Sequence, residues 1–200
     1  LQTPGFNDRW GLPLNLISGP AAAKTSKVNQ IASACDLQVT TLLTALMDPA
    51  DAQGLPTFAE GPNGQKVTAY AAPAWAAPLA DGTCQGDHVV FLDEISNAPG
   101  AVQAAFLRVV FEGKVGGVSL DPRVRFTLAM NPPEQCPNGF PLGMSLANRL
   151  MHVECPDPTV QAWAAYHLST LGVDPSEVAE IVGGHVASEI TDIQIKTNGE

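Results

Sequence analysis

The run "HVVFLD", residues 88–93, does most to limit what this chain can fold into. Its apolar residues are continuous and do not alternate, so both faces of the strand must be covered. Such a strand belongs inside a parallel sheet with helices on either side. The rest of the chain supplies suitable partners. "LPLNLIS" at 12–18 is a short apolar strand, and "LQVTTL" at 37–42 is a second. Between them, "KTSKVNQIASAC" predicts a helix with Val28, Ile31 and Cys35 at helical spacing. "RVRFTLAM" at 123–130 and "MHVEC" at 151–155 are further strands.

After Asp93, "NAPGAVQAAFLRVVFEG" predicts another helix. Pro99 suits its first turn, with Asn97 or Ser96 as cap. Val102, Phe106, Val109 and Val110 make one apolar face, and Gly113 stops the helix. One segment, 55–73, breaks the alternation: "GLPTF", "GPNG" and "QKVTAY" read as a β-hairpin with Asn63-Gly64 as the turn. From Asp157 onward the pattern is helical. The expectation is an α/β domain over 1–156, a parallel sheet flanked by helices, followed by the start of a helical lid over 157–200. Two hundred residues suffice for one sizeable core and part of a second domain.

Charge narrows the partners. Ten Lys+Arg stand against twenty Asp+Glu, a formal net charge of -10. Broad binding to nucleic acid or to an anionic membrane needs clustered cations, so neither is expected. A single phosphate ligand needs only one or two placed cations and some backbone N–H groups. Cys35, Cys84, Cys136 and Cys155 are scattered, with no C-x-x-C pair, and read as free thiols of a reducing, cytoplasmic compartment. The apolar stretch "AYAAPAWAAPLA" is broken by Pro73 and Pro78 and cannot span a membrane. No signal peptide is expected, and Leu1 with the "IKTNGE" ending reads as a piece of something longer.

Four places could carry chemistry. The first is "LISGPAAAKTSKV", 16–28, an apolar strand, a Gly-Pro turn, and Lys24-Thr25 opening a helix. As a phosphate loop it would aim backbone N–H groups at an anion, with Lys24 on the β- and γ-phosphates and Thr25 on Mg²⁺. Alanines replace the usual glycines, and an alanine in a left-handed dihedral costs roughly 1–2 kcal/mol, so two or three would add up to several. By itself the stretch fits a site and a plain turn equally. The second is Asp93-Glu94 at the end of the apolar strand, as solvated acids or as a Mg²⁺ carboxylate and a base for water. The third is Asn131 in "AMNPPE", a turn residue or an amide that orients that water. The fourth is Arg149 in "LANRL", a surface arginine or a finger worth about 10³–10⁵ in phosphoryl-transfer rate.

Their order along the chain, with "DPADAQGLP" and "VVFLDEISNAPGAVQAAFLRVVFEGKVGG", resembles the AAA+ ATPases, and within them the MoxR type, over roughly 13–158. The resemblance implies a P-loop NTPase fold. It implies a Walker A loop at Gly19, Pro20, Ala21, Ala22, Ala23, Lys24, Thr25 and Ser26, and a Walker B motif ending in Asp93 and Glu94. It also implies Thr25 and Asp93 for Mg²⁺, and Glu94, sensor 1 Asn131 and finger Arg149 for ATP hydrolysis. The partners it implies are further copies in a ring, six expected, and a client protein acted on by a remodelling or maturation chaperone. The hairpin would face the ring's pore. Two departures stand out. Ser18 takes the place of the first glycine, or the loop is one residue short; and no arginine follows Arg149 to serve as sensor 2. The rival reading is a pseudo-ATPase, a scaffold that keeps the fold without turnover. Trp75 is read as core packing. His88, His152, His167 and His185 lack metal-ligand spacing, and Cys136 has no base placed beside it.

Overall fold

The computed structural model describes residue 9, residues 11–20, 22–136 and 139–156, and residue 159. The chain divides into two units, Leu1–Cys155 and Pro156–Glu200. The helical lid expected from 157 lies outside the described residues, as do His167 and His185.

The elements of the first unit are β1 (Leu14–Ile17), α1 (Lys24–Ala34), β2 (Gln38–Leu43), α2 (Pro49–Gln53), β3 (Leu55–Glu60), β4 (Lys66–Ala71), β5 (His88–Asp93), α3 (Gly100–Glu112), β6 (Lys114–Val115), β7 (Val118–Ser119), β8 (Val124–Met130), α4 (Met144–Ala147) and β9 (Met151–Glu154). Five strands form one sheet in the order β2-β5-β8-β1-β9. Every pairing within it is parallel. The α/β class with a parallel sheet flanked by helices is therefore the observed one. Among the described residues no helix is long and apolar enough to cross a membrane.

Side chains alternate between the sheet's faces, as the pleat requires. Val90 and Leu92 of β5 join Leu128 of β8 and Val102, Phe106, Val109 and Val110 of α3 in the main core. Phe91 and Ala129 point the other way, against Val28 of α1. This explains the unbroken apolar run: β5 is covered twice. Phe106 is fully buried, and truncating it to alanine would cost about 3–5 kcal/mol.

Three details differ from expectation. The buried face of α1 is Val28 and Ala32, while Ile31 is 55% exposed and Cys35 is exposed. The helix is rotated toward its i, i+4 pair because only one thin row meets the sheet. Neither Ser96 nor Asn97 caps α3; both lie in a 3₁₀ turn, Ile95–Asn97, and Pro99 takes the cap position without a side-chain bond. The hairpin turn is longer than Asn63-Gly64. Glu60 pairs with Lys66, and Gly64 N–H donates to Gly61 O at 2.9 Å. Pro62, with its fixed φ, takes the first corner of that turn, and Gly64 follows in the left-handed region at φ 76.

Register places the site. Ile17 pairs with Met130, and Leu92 with Leu128, so the carboxyl ends of β1, β5 and β8 lie side by side. The chain leaves β1 for the far edge strand β2, while β9 lies on β1's other side. Open α/β sheets bind ligands at such a reversal of strand order, outside the carboxyl ends.

Candidate functional site

The segment from β1 to α1 opens onto this crevice. Ser18 N–H continues the ladder to Met130 O, and Gly19 and Pro20 then turn the chain away. Ala23 enters α1 with φ 55 and ψ 36, left-handed for a residue that carries a Cβ. It is the only residue with positive φ among the described residues 18–25. Of the two described alanines of this loop, Ala23 alone carries that backbone strain, at roughly 1–2 kcal/mol. Ala22 is buried without it, and Ala21 lies outside the described residues. The N-terminus of α1 has no side-chain cap and no acid in its first turn. Its first N–H groups and the positive end of its dipole are therefore open to an anion. Ser26 is exposed on that turn.

Lys24 closes the loop. Its ammonium donates to Ser18 O and Gly19 O, both at 3.0 Å, and to Asn131 Oδ1 at 2.6 Å. Burial pushes its pKa below the ordinary lysine value, against the opposing pull of Asp93, Cys155 and Glu94. A partly desolvated ammonium attracts phosphate more strongly than one in water. Ser18 Oγ is buried, with no hydrogen-bond partner among the described residues. An orphaned hydroxyl beside the loop is unusual in a settled turn and suits a segment built to meet a ligand.

The strand side supplies acids. Asp93, by the alternation of β5, points to the α1 face and accepts the Thr25 hydroxyl on Oδ2 at 2.7 Å. Its Oδ1 accepts Glu94 N–H at 3.0 Å. Glu94 is exposed and left-handed, at φ 57, a strained position that turns its carboxylate out of the strand line. Pro20, Ala22, Ala23, Lys24 and Thr25 form one wall of a cleft of about 250 Å³. Asp93, Glu94, Met130 and Asn131 form the other. The Thr25–Asp93 pair is a hard-oxygen set of the kind Mg²⁺ takes from a protein when phosphate and water complete its shell. Among the described residues no three His, Cys, Asp or Glu side chains could hold a metal by themselves.

Arg149 does not line this cleft. It is exposed, with its guanidinium 5.5 Å from the ring centroid of Phe111 on α3. Trp75 packs against the main core and donates Nε1–H to Asp51 O at 2.8 Å. His88 is buried with Nε2 2.8 Å from Thr40 Oγ1, and burial lowers its pKa. His152 stands beside Asn15, Nδ1 to Nδ2 3.1 Å. All four cysteines are free.

The sequence reading missed Asn97. Its Nδ2 donates to Glu94 Oε2 at 3.3 Å, and its Oδ1 accepts the Cys136 thiol at 2.9 Å. Its place three residues after Glu94 was the available signal, but a residue before a helix reads first as a cap.

No family model and no curated protein matches this chain. Its fold is similar to a crystal structure from Cytophaga hutchinsonii that carries the name "putative ATPase", with a TM-score of 0.51 and 21% identity. The match covers 80% of this chain and 47% of that one, so the chain spans about half the length of that structure. What the likeness shows is the fold: a parallel α/β sheet flanked by helices.

Proposed function

We propose that the chain is the nucleotide-binding module of a Mg-ATP-dependent ATPase, of the AAA+ class and MoxR type. The carrying observation is convergence. Lys24, Thr25, Asp93, Glu94 and Asn131, far apart in sequence, meet in one cleft at the carboxyl ends of three parallel strands. In this reading Lys24 exchanges its Asn131 bond for the β- and γ-phosphates, while the open N-terminus of α1 holds the phosphate chain. Thr25 and Asp93 would hold Mg²⁺, which supplies charge neutralisation on the phosphates. Glu94 accepts the proton of the attacking water, and Asn131, released by Lys24, orients that water.

Arg149 is assigned to a neighbouring copy's cleft, since it stacks on Phe111 and does not line its own. The working form is then a ring of identical subunits that remodels or matures a client protein, with the β3–β4 hairpin on the pore side. Exposed Phe58 and Tyr70 on one face of that hairpin suit client contact. The rival, a pseudo-ATPase, draws on Ala23: a strained alanine where a glycine would be free. ATP turnover of the protein, alone and with Glu94→Gln subunits added, separates the two. Turnover that falls as Glu94→Gln subunits enter the rings supports the ATPase; firm Mg-ATP binding without any turnover establishes the scaffold.

A further inference from the structure

The loops after β5 and β8 are stitched together. Phe140 N–H donates to Ser96 O at 2.7 Å, and Ser96 Oγ stands 3.7 Å from Cys136 Sγ. A Cβ at Gly139 would sit 2.7 Å from Cys136 Sγ and 3.0 Å from Ser96 O, so a side chain there would push the thiol aside. Between the loops lies Asn97. Its amide has one orientation that satisfies both neighbours: NH₂ toward a carboxylate that can only accept, and C=O toward a thiol that donates. The result is a directed chain, Cys136 Sγ–H to Asn97 Oδ1, then Asn97 Nδ2–H to Glu94 Oε2.

Glu94 needs such a holder. It is exposed, its backbone is left-handed, and it precedes a turn only three residues long. An exposed glutamate loses much rotamer freedom when fixed, and an unheld one samples many poses that miss the water. We infer that Asn97 is a positioning residue for the Glu94 carboxylate, and that the Cys136 thiol sets the orientation of the Asn97 amide. This rests on the reading of Glu94 as the base. Cys136 lies five residues after Asn131, so the same chain ties the loop of the water-orienting amide to the base.

The test has two arms on the full chain. In the first, ATP turnover and Mg-ATP affinity are measured for Asn97→Ala, Cys136→Ala and Cys136→Ser. Asn97→Ala lowers kcat about five- to tenfold and leaves affinity within about twofold, since the lost bond steadies a group needed only in the reaction. Cys136→Ala lowers kcat by less. Cys136→Ser keeps a donor and restores the wild-type rate. An Asn97→Ala enzyme with unchanged kcat overturns the inference, and so does a serine variant as slow as the alanine one.

The second arm needs no turnover, so it stands whether or not the chain is an ATPase. The rate at which iodoacetamide alkylates Cys136, read by peptide mass spectrometry, is compared in wild type, Glu94→Ala, Asn97→Ala and the double variant. Removing the Glu94 charge acts through space in both backgrounds and cancels in the cycle. The expected result is an effect of Glu94→Ala at least about twofold larger with Asn97 present than in the Asn97→Ala background. Equal effects of Glu94→Ala in both backgrounds would show that no relay runs through Asn97.

Discussion

The two walls of the cleft are made differently. The strand wall is side-chain chemistry: Asp93, Glu94 and Asn131 extend from two strands that are almost wholly buried, and their neighbours hold them by named bonds. The loop wall is backbone chemistry. Its offer to a ligand is the uncapped end of α1, the left-handed Ala23 and two carbonyls facing Lys24. Lys24 joins the walls through Asn131. The difference teaches that a loop poor in glycine can still hold a left-handed turn. Glycines ease a loop into its conformation, but here the sheet and α1 impose it on an alanine.

The largest effect falls on neither wall. In the proposed ring, Arg149→Ala should lower ATP turnover by about 10³–10⁵ while nucleotide affinity stays within about threefold. Mixed rings of Arg149→Ala and Glu94→Gln subunits, each inactive alone, should regain part of the activity. Hydrolysis by strictly monomeric protein at the ring's rate would move Arg149 out of the reaction. Next is the strand wall. Glu94→Gln should cost about 10²–10⁴ in single-turnover rate, with Mg-ATP affinity nearly unchanged, as for a lost general base. A large loss of affinity instead would mean that Glu94 contacts the nucleotide directly.

The loop wall should answer in stability. Ala23 is already left-handed without a ligand, so Ala23→Gly relieves strain present in both free and bound protein. It should raise the unfolding free energy by about 0.5–1 kcal/mol and change affinity by less than about twofold. Ala22→Gly, at a buried site with negative φ, should lower it by at least as much, because glycine adds unfolded-state freedom and removes a buried methyl. Denaturant titrations that gave both changes the same sign would refute the assignment of strain to Ala23.

The smallest effect lies at the other end of β5. His88 is buried beside Thr40, and burial lowers its pKa from the ordinary 6.5. The unfolded chain therefore takes up a proton first as pH falls. Stability from neutral His88 is full above 6.5 and is lost as pH drops toward the folded value. His88→Gln should flatten that part of the stability profile, measured by chemical denaturation from pH 7.5 to 5, and leave nucleotide affinity at pH 7.5 unchanged. An unaltered slope would put the titration elsewhere.

The same contrast decides what could be read from sequence. The strand wall was legible because a buried strand has to be continuously apolar, and a polar residue at its end has few places to point. "HVVFLD" followed by Glu94 and "FTLAM" followed by Asn131 say nearly all of it. α3 was legible for a like reason, as Val102, Phe106, Val109 and Val110 share one face and Gly113 ends the helix at φ 63. Dihedrals are not written in residue names. Nothing in "GPAAAKT" says which alanine is left-handed; of the two that are described, it is Ala23 and not Ala22. Asn97 was misread as a cap because its two partners, Glu94 and Cys136, are brought together only by the pairing of β5 with β8. The rotation of α1, which exposes Ile31, depends on how little of the sheet that helix covers.

The central claim is that the two walls close on a nucleotide through Lys24. Calorimetric titration of Mg-ATP into wild-type and Lys24→Ala protein tests it most directly. The wild type should give saturable, Mg²⁺-dependent heat with a Kd below about 1 mM. Lys24→Ala removes the one charged donor shared by both walls and should weaken binding by about 100-fold or more, the scale of one or two charge-assisted hydrogen bonds. Folded wild-type protein that gives no heat at millimolar Mg-ATP, or a Lys24→Ala variant that binds as tightly as wild type, would contradict the account.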